Sequence, residues 1–524
     1  MREQIKPQSW LSAEPFSNDM SVAWLLAAAA VLVQMATNGR YGYFRDELYY
    51  LALSHHLDWG YVDLAPLAPF VLYIGRSLFG ESLHAIRLLP ALALGAEILI
   101  TGLITRELGG KRFAVLLACL AVLVAPVILN NASRFSMNPF ESLFWMGSIY
   151  FLLRAINRNQ PELLVWCGVL IGLGLENKHS TAFFLISLMV GLLATPERRW
   201  FRSKWLWIAA GIILLLSLPN LIWQYQHGFP TWVDLNNVKK IHKNVELPPL
   251  AFLKQQVMTL LPINALIWIA GLGFLLFHRE GKRYRVLGVT YLAFLAIMMA
   301  LHGKDYYLAP IYPMLFAAGG VWWQDFIESR IESHLWLRWV KVALPLVMVI
   351  LGAVIVPIVL PILPPDRVDP YMQALGIGVP RSETHMTSDL PQYFADEFGW
   401  PEMVAQVAGV YNQIPPEERA RTAILAGNYG SAGAIDFFGP RYGLPQSISA
   451  HQNYYYWGFR QYTGESLIML NWELDDAQYW CQNVEEGPKV AHPYAMSWEH
   501  YTILICHGLK MSLPEAWPHF KVWD

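Results

Sequence analysis

The segment VAWLLAAAAVLVQM (residues 22–35) leads into YFRDELYY (residues 43–50), and this junction decides the fold. With its flanks, the apolar segment is long enough to cross a bilayer, so the charged and aromatic run begins where the chain leaves the membrane. Its adjacent carboxylates, Asp46 and Glu47, suit neither a solvated loop, which needs no aromatic residues around its acids, nor a helix core. We infer that Asp46 works at a membrane surface.

The composition is that of a membrane protein with a smaller water-soluble part. Of the 524 residues, 55% are hydrophobic and 15% are charged, whereas soluble domains carry about 25% charged residues. The deficit of charge lies in the first two thirds of the chain, and the rest has the pattern of a soluble fold. The formal net charge is −2, which gives no indication of a nucleic-acid partner.

Apolar runs near the ~20 residues that cross a bilayer predict an α-helical polytopic membrane protein with about eleven transmembrane helices. The runs cover residues 22–37, 84–104, 113–129, 139–153, 163–175, 181–194, 205–223, 257–277, 286–301, 308–323 and 340–360. The fifth and sixth runs are short, and a re-entrant pair is the alternative there. The first run follows basic residues, as a secretion signal does, but it leads at once into YFRDELYY, so we predict a retained span.

Lys and Arg residues cluster in every second gap between these runs, which places those gaps in the cytoplasm. The alternation holds only if both short runs cross the membrane. An odd number of spans then places the start of the chain inside and its C-terminal part outside. The basic residues are Arg106, Lys111, Arg112, Arg154, Arg158, Arg198, Arg199, Arg202, Lys204, Arg279, Lys282, Arg283, Arg285, Arg330, Arg338 and Lys341.

The remaining gaps, on the predicted outer face, carry the unusual polar motifs. They are a first external loop at residues 38–83, then residues 130–138, 176–179, 224–256 and 302–307. Several of these motifs lie against apolar runs, where an ionisable group is expensive unless it has a task. We therefore predict a functional site on the outer face rather than a set of solvated loops.

The chain changes character after the last apolar run. We predict a transmembrane domain at residues 1–361 and a soluble extracytoplasmic α/β domain at residues 362–524, with strands at 422–427, 466–472 and 501–506. Residues 397–411 predict an amphipathic helix. Cys481 and Cys506 are candidates for a disulfide in this domain if it lies outside the cytoplasm.

Three carboxylates of the first external loop, Asp46, Glu47 and Asp63, are the candidate catalytic residues. A carboxylate close to an acceptor can serve as a general base that deprotonates the attacking group. The alternative is a divalent cation, with Asp46 and His55 as possible ligands. Adjacent histidines such as His55 and His56 rarely point to one site on a helix, so we predict no firm metal site or cofactor.

Cations on the same face are candidates for binding a lipid phosphate. Lys304, with Tyr306 and Tyr307, and Lys178 stand at the predicted membrane surface, and Arg45 adjoins the acids. A phosphate at the interface needs charge-assisted hydrogen bonds once it leaves bulk water. The alternative is a belt of Lys and Tyr that only anchors the helices.

An aromatic cluster in the soluble part, Tyr454, Tyr455, Tyr456 and Trp457, is a candidate for the acceptor side of the site. Such residues stack on sugar faces and can hold a glycan or a peptide. The same cluster is also typical of a buried domain edge or of a seat on the membrane.

Five motifs together resemble the bacterial branch of the dolichyl-phosphate-mannose-protein mannosyltransferase family. They are YFRDELY (residues 43–49), LDWGYVD (57–63) with Pro66 and Leu67, GLGLENK (172–178), PNLIWQ (219–224) and KDYYLAP (304–310). This family includes the aminoarabinose transferases of lipid A and belongs to the glycosyltransferases of the C-type fold. The resemblance covers most of the predicted membrane domain.

The resemblance implies a multi-pass enzyme of the bacterial cytoplasmic membrane that uses a polyprenyl-phosphate-linked sugar. Its sugar would pass to a lipid, glycan or protein acceptor at the outer face, as in lipid A modification or protein glycosylation. The family's catalytic carboxylate falls on Asp46, and the second acid of the loop falls on Asp63. Relatives commonly have Lys or His directly after that acid, whereas this chain has Leu64, which shifts phosphate binding to Lys304, Lys178 and Arg45.

Two other classes of protein compete with this interpretation. A transporter or flippase for a polyprenyl-linked or other amphiphilic substrate would use buried carboxylates to carry protons or ions. The sequence has no repeated halves with interrupted helices, and its acids cluster in one loop rather than at mid-bilayer. A structural scaffold gives no reason for Asp46, Asp63 and Lys304 to share a face.

Overall fold

Helices built from the apolar runs make up the first two thirds of the chain. The computed structural model describes residues 17–380, 383–384 and 388–524. The helices of this part are α1 (Ser21–Thr37), α2 (Arg45–His55), α3 (Leu67–Phe79), α4 (Leu83–Glu107), α5 (Arg112–Leu123), α6 (Pro126–Asn131), α7 (Asn138–Arg158), α8 (Leu164–Asn177), α9 (Thr181–Leu193), α10 (Lys204–Gln226), α11 (Pro230–Lys240), α12 (Pro249–Thr259), α13 (Ala265–Phe277), α14 (Arg285–Ala300), α15 (Tyr312–Glu328) and α16 (Leu337–Val359). A 3₁₀-helix, Asp305–Ile311, lies between α14 and α15.

Among the described residues, five helical segments are long and apolar enough to cross a membrane. They are Asn18–Thr37, Leu83–Glu107, Lys204–Gln226, Gly281–Ala300 and Leu337–Val359. Two bent pairs, with angles of 105° and 102° at the break, bring the number to seven if each pair is one span. Other apolar runs form shorter helices, such as α5 with 12 residues and α8 with 14. The eleven spans counted from the sequence therefore stay a prediction.

The C-terminal part contains a small mixed sheet with helices around it. Its helices are α17 (Pro365–Ala374), α18 (Gln392–Ala395), α19 (Trp400–Gln413), α20 (Pro416–Arg419), α21 (Tyr429–Phe438), α22 (Tyr454–Trp457), α23 (Leu474–Trp480) and α24 (Leu513–Phe520). The strands are β1 (Thr422–Ala426), β2 (Ser466–Leu470), β3 (Cys481–Val490) and β4 (Tyr501–Leu509), in the order β1-β2-β4-β3. The boundary proposed at residues 361–362 falls in the link between α16 and α17.

Three of the four strands match the strands predicted from the sequence. Strands β1 and β2 pair in parallel, with Ile424 opposite Ile468, and β4 pairs antiparallel with both β2 and β3. Strand β3 was missed because its residues, CQNVEEGPKV, are mostly polar and exposed. A charged edge strand of this kind lacks the apolar alternation by which buried strands are recognised.

The two cysteines of the C-terminal part are joined across the β3–β4 pair. Cys481 and Cys506 form a disulfide, with their Cα atoms 5.7 Å apart. Cys119 and Cys167 are free thiols buried in helices. The disulfide ties the edge strand, which has few apolar contacts of its own, to the centre of the sheet.

Helix α2 packs against α21 and so connects the two parts of the chain. Leu48 of α2 is fully buried in an apolar cluster whose other members, including Val404 and Ile435, come from the C-terminal part. The ring of the next residue, Tyr49, stacks on Tyr429 with the ring centroids 4.7 Å apart. The side chains at the start of α2 are therefore positioned by both parts.

Candidate active site

Asp46 lies in the first turn of α2. The helix begins after Phe44, whose backbone N–H donates to Glu47 Oε2 at 2.9 Å. The half-buried Asp46 carboxylate accepts a hydrogen bond from the Tyr429 hydroxyl at 2.8 Å. Burial raises the pKa of Asp46, while the Tyr429 hydrogen bond and the Arg45 charge lower it. A carboxylate with a raised pKa and an accessible edge is suited to accept a proton.

Glu47, the neighbour of Asp46, is fully buried, and both of its carboxylate oxygens accept hydrogen bonds. Arg87 of α4 donates from Nε to Oε1 at 2.8 Å and from Nη2 to Oε2 at 2.7 Å. The Phe135 backbone N–H adds a bond to Oε1 at 2.8 Å. Together with the Phe44 N–H, these donors occupy the lone pairs that a carboxylate offers. The contacts support an anchoring role for Glu47 rather than the catalytic role predicted from the sequence.

A second ion pair adjoins Glu47 and Arg87. Arg134 Nε donates to Glu397 Oε1 at 2.5 Å, and Arg87 Nη2 lies 3.6 Å from Glu397 Oε2. Each of the four residues is at most 5% exposed. Their two positive and two negative charges compensate each other, which is the condition under which buried charges are tolerated. Because Glu397 belongs to the C-terminal part, this cluster also joins the two parts.

Asp63 is bonded to α2 through Tyr49. The Tyr49 hydroxyl donates to Asp63 Oδ1 at 3.0 Å and accepts from the Asn453 backbone N–H at 3.1 Å. Burial and, next, the charge of Asp234 raise the pKa of Asp63 to about 7, and Asp46 adds to this effect. Asp63 therefore gains and loses a proton near neutral pH, close to Asp46.

Asp234 of α11 is a third carboxylate of this neighbourhood, and it was not among the residues predicted from the sequence. It is buried and accepts a hydrogen bond from Gln452 Nε2 at 2.9 Å. Burial raises the pKa of Asp234 as well. Its one signal in the sequence was its position in the polar link at residues 224–256.

Lys178, predicted to bind phosphate, is buried and already paired. Its Nζ donates to Asn138 Oδ1 and to Glu141 Oε2, both at 2.9 Å. The Ser180 hydroxyl donates to the same Glu141 carboxylate. Because Glu141 compensates the charge of Lys178, this lysine has less charge to offer a phosphate.

The two tyrosines of the 3₁₀-helix lie beside Lys178. Lys178 Nζ is 4.7 Å from the centroid of the Tyr307 ring and 5.7 Å from that of Tyr306. Burial and the neighbouring Tyr307 raise the pKa of Tyr306, Lys178 lowers it, and Asp305 and Asp46 raise it further. Tyr306 is therefore within electrostatic range of both the lysine and the acid at the start of α2.

Lys304 directly precedes this 3₁₀-helix and is half-buried. Within the described part of the chain its ammonium group forms no ion pair of 4 Å or less. Of the two lysines predicted to bind phosphate, Lys304 is thus the one whose charge is not already compensated by a carboxylate contact, and it stands next to the tyrosines that contact Lys178.

Arg45, also predicted to bind phosphate, faces the C-terminal part. Its guanidinium carbon lies 4.6 Å from the centroid of the Tyr429 ring, and its backbone N–H donates to the Asp396 carbonyl oxygen at 3.0 Å. Its charge acts on Asp46, Asp396 and Glu499. These contacts connect Arg45 with the acids, and its role toward phosphate stays a prediction.

The possible metal ligands Asp46 and His55 stand at opposite ends of α2, about 13 Å apart along the helix axis. His55 Nε2 instead lies 3.0 Å from Glu81 Oε1. In residues 17–380, 383–384 and 388–524, no group of three or more His, Cys, Asp or Glu side chains is placed to hold a metal ion. The arrangement gives no support to a metal site formed by this pair.

The aromatic cluster of α22 forms a contact between the two parts of the chain. Tyr454 is buried, Trp457 stacks on His56 with centroids 4.2 Å apart, and Tyr456 meets Trp223 edge-on at 6.0 Å. Tyr455 packs against Trp517. These contacts support the interpretation of the cluster as a buried edge of the domain, and the acceptor role stays a prediction.

An open groove of about 520 Å³ lies between α10 and the loop that follows α2. Its walls are mainly apolar, with Trp59 on one side and Leu218, Ile222 and Trp223 on the other, and Asp58 is also part of its lining. Its dimensions and lining are suited to an aliphatic chain.

Several residues of the site were missed by reasoning from the sequence. Arg87 had a signal, because an arginine inside an apolar run is expensive and therefore has a partner or a task. Glu397 lay in a segment predicted as an amphipathic helix and gave no sign of a buried ion pair. Tyr429 gave none either, since 383 residues separate it from Asp46.

Gly433 is a point of close approach between α21 and the backbone of α2. A Cβ atom added there would lie 2.9 Å from the carbonyl carbon and oxygen of Leu48, both backbone atoms. We therefore expect Gly433→Ala to lower the free energy of unfolding by ~1–3 kcal/mol and to reduce activity, because the helices must separate. Thermal unfolding in detergent measures the first effect.

The matched control for this change is Gly409→Ala in α19, where an added Cβ meets no atom within 4 Å. Alanine is favoured over glycine in a helix by ~1 kcal/mol, so this variant is expected to be slightly stabilised. Equal effects of the two substitutions would contradict the importance of the α2–α21 contact.

Comparison with known proteins places this geometry in context. The family model described as dolichyl-phosphate-mannose-protein mannosyltransferase matches residues 63–223. The undecaprenyl phosphate-alpha-4-amino-4-deoxy-L-arabinose arabinosyl transferase 2 of Pseudomonas fluorescens strain Pf-5 is 26% identical over 175 residues, which are 32% of this chain and 30% of that protein. The lipid A galacturonosyltransferase RgtD of Rhizobium johnstonii is 25% identical over 190 residues, 36% of this chain and 40% of that protein. The matched part thus spans less than half of these relatives.

The similarity in three dimensions extends further than the similarity in sequence. The crystal structure of ArnT from Cupriavidus metallidurans bound to undecaprenyl phosphate superposes with a TM-score of 0.58 at 15% identity. The match covers 92% of this chain and 97% of ArnT. The resemblance inferred from the motifs is confirmed by the family model, and the chain has the fold of this ArnT structure. Asp63 and Lys178 lie inside the range that the family model matches, whereas Asp46 lies before it.

Proposed function

We propose that this protein is a membrane glycosyltransferase that moves a sugar from a polyprenyl-phosphate carrier to a lipid, glycan or protein acceptor. The observation that carries the proposal is the grouping of Asp46 and Asp63 with Tyr306, which adjoins the uncompensated Lys304. This arrangement combines proton-accepting groups with a cation suited to phosphate, in a chain with the fold of ArnT. The named transferases to which the chain is similar support the same class of reaction.

The reaction needs one bond to form at the sugar's anomeric carbon while another breaks. A hydroxyl or amine of the acceptor attacks that carbon, and its proton passes to Asp46. The bond between the carbon and the phosphate oxygen breaks, and polyprenyl phosphate leaves with the electron pair. Because the leaving group is a phosphate of low basicity, positive charge serves it better than a general acid would. No covalent enzyme intermediate is required.

Asp46 fits the role of base better than its neighbours. Its pKa is raised by burial, and its one hydrogen bond to the described part of the chain leaves lone pairs for the acceptor's proton. Glu47 has its lone pairs occupied by Arg87 and backbone donors. Asp63, with a pKa of about 7 and a bond from Tyr49, is suited to orient the sugar or acceptor by hydrogen bonds.

We place the lipid chain of the substrates in the groove beside α10. The groove is open, and its apolar walls suit a polyprenyl chain or an acyl chain. Gln224 Nε2 of α10 donates to the Tyr61 carbonyl oxygen at 3.1 Å, which fixes the loop carrying Asp63 against this helix. We place the phosphate at Lys304 and Tyr306 and the sugar toward Asp46.

The proposal includes a location in the cell. The alternation of basic gaps places the first loop, the 3₁₀-helix and the C-terminal part on the outer face of the bacterial cytoplasmic membrane. In this arrangement residues 1–361 form the membrane domain and residues 362–524 an extracytoplasmic α/β domain. The Cys481–Cys506 disulfide supports that placement, because disulfides persist in oxidising compartments.

Purified protein with a radiolabelled polyprenyl-phosphate sugar and a panel of lipid, glycan and peptide acceptors tests the function. Labelled acceptor together with released polyprenyl phosphate is the expected result. Movement of the intact lipid-linked sugar across proteoliposomes without transfer would instead identify a flippase. If neither transfer nor movement of the donor is observed with any acceptor in the panel, both proposals are contradicted.

Lys304→Ala tests the phosphate site. We expect the KM for the lipid donor to rise about tenfold, because one charge-assisted hydrogen bond to phosphate is lost, with a smaller change in KM for the acceptor. Initial rates at varied donor concentration measure this effect. The matched control is Lys254→Ala, an exposed lysine of α12. An unchanged donor KM in the Lys304 variant would contradict the assignment.

A further inference from the structure

Tyr429 reaches the proposed catalytic carboxylate from the far end of the chain. It is the first residue of α21, and its hydroxyl donates to Asp46 Oδ1 at 2.8 Å. The family model does not cover this residue, since its match ends at residue 223. Tyr429 therefore lies outside both the sequence motifs and the family model.

The Tyr429 side chain is held in place from three sides. Its ring stacks on Tyr49 with centroids 4.7 Å apart and on His451 at 5.1 Å. The Arg45 guanidinium covers the ring at 4.6 Å from its centroid. The backbone N–H of Tyr429 donates to His451 Nδ1 at 3.2 Å. These contacts leave the hydroxyl a single orientation, toward Asp46.

We propose that Tyr429 is a positioning residue that fixes the rotamer of Asp46 and keeps this carboxylate ionised at working pH, so that the C-terminal part completes the active site. This inference rests on the proposed function, in which Asp46 is the base. A phenol that donates to one oxygen leaves the other oxygen to accept the acceptor's proton. The hydrogen bond also favours the charged form of the carboxyl, against the effect of burial.

Several other charged or titratable groups act on Asp46 and on the Tyr429 hydrogen bond. They are Arg45 and Tyr50 of α2, Asp63 of the loop after α2, Lys243 between α11 and α12, Glu383 before α18, Asp396 directly after α18, and Tyr306 of the 3₁₀-helix. Tyr429 differs from these groups because, within the described part of the chain, it donates a hydrogen bond to Asp46, so removing its hydroxyl changes a specific contact.

The sign of the effect follows from the role of Asp46. Activity needs the ionised carboxylate and is lost as the pH falls through its pKa. Tyr429→Phe removes the hydroxyl but keeps the ring that Tyr49, His451 and Arg45 contact. Since the hydrogen bond lowers the pKa of Asp46, its loss raises that pKa, and we expect the acid limb of the rate to move up by about one pH unit.

Carbodiimide labelling measures the protonation of Asp46 without any assay of transfer. The reagent couples to protonated carboxyls, and peptide mass spectrometry with fragmentation distinguishes Asp46 from Glu47. We expect the pH at half-maximal labelling of Asp46 to rise by about one unit in Tyr429→Phe. The matched control is Tyr411→Phe, which removes another tyrosine hydroxyl bond of the C-terminal part, to the Arg419 carbonyl oxygen at 3.2 Å.

The two measurements separate this inference from the proposed function. If the wild-type protein transfers no sugar but the labelling midpoint shifts in Tyr429→Phe alone, the contact with Asp46 is supported and the function is not. If transfer occurs and the acid limb of kcat/KM follows the labelling midpoint, both are supported. An unchanged midpoint in Tyr429→Phe, or an equal shift in Tyr411→Phe, would overturn the role of Tyr429.

Discussion

Changing Asp46 to Asn is expected to lower sugar transfer by at least ~100-fold, because general-base catalysis contributes about that much or more. Asparagine keeps the size of the side chain and can still accept the Tyr429 hydrogen bond through its carbonyl oxygen. It cannot take up the acceptor's proton. We expect the loss in kcat rather than in the KM for the donor, because the phosphate site proposed at Lys304 is unchanged. Initial rates with saturating donor measure this loss.

Asp476→Asn is the control for this experiment. Asp476 is an exposed carboxylate of α23 and belongs neither to the proposed site nor to the lining of the groove. We expect this variant to keep transfer within about threefold of the wild type, since it removes no proton acceptor of the site. Retained transfer in Asp46→Asn, with normal membrane insertion, would contradict the assignment of Asp46 as the base.

The largest loss of stability is expected for Arg87→Ala. Arg87 is 1% exposed, makes two bonds to Glu47 and donates to the carbonyl oxygens of Asn38 and Gly42 at 2.7 and 2.9 Å. Its removal leaves Glu47 as a buried and uncompensated charge. The expected cost is ~3–5 kcal/mol in the free energy of unfolding, which titration with denaturing detergent in mixed micelles measures.

Two companion variants decide whether this cost comes from the buried charge. Arg421→Ala breaks an exposed pair with Glu465, N–O distance 2.9 Å, and should cost less than ~1 kcal/mol. The double variant Arg87→Met with Glu47→Gln removes both charges and leaves Glu397 paired with Arg134. The double variant should be more stable than Arg87→Ala. If its cost in free energy of unfolding equals the sum of the costs of Arg87→Met and Glu47→Gln measured singly, the two side chains do not stabilise each other, which would contradict this explanation.

Features that depend on local pattern could be predicted from the sequence. The apolar runs became helices, and the short runs of Val, Ile and Leu at β1, β2 and β4 became strands, because each is specified by residues close together in the chain. The prediction that distant motifs share one face agrees with the contact of Lys178 with Tyr306 and Tyr307. That face was inferred from the positions of basic residues rather than from the motifs themselves.

Features that depend on contacts between distant segments could not be predicted. The residues around Glu47 in the sequence give no sign that Arg87 bonds to both of its carboxylate oxygens. Asp46 and Glu47 were therefore both predicted to be catalytic, although the contacts leave lone pairs free on Asp46 only. The partner of Asp46 comes from a part of the chain that no motif connected with it. The number of membrane spans stays a prediction for the same reason, because the point where an apolar run breaks or bends depends on the helices packed against it.

The contact between α2 and α21 has a consequence for the order in which this protein is made. Ribosomes synthesise Asp46 early, but its hydrogen-bond donor follows 383 residues later. Until that segment has been translated and folded, α2 lacks its final packing surface and Asp46 lacks its donor. Under the proposed function, a nascent chain with only its first helices in place is therefore expected to be inactive.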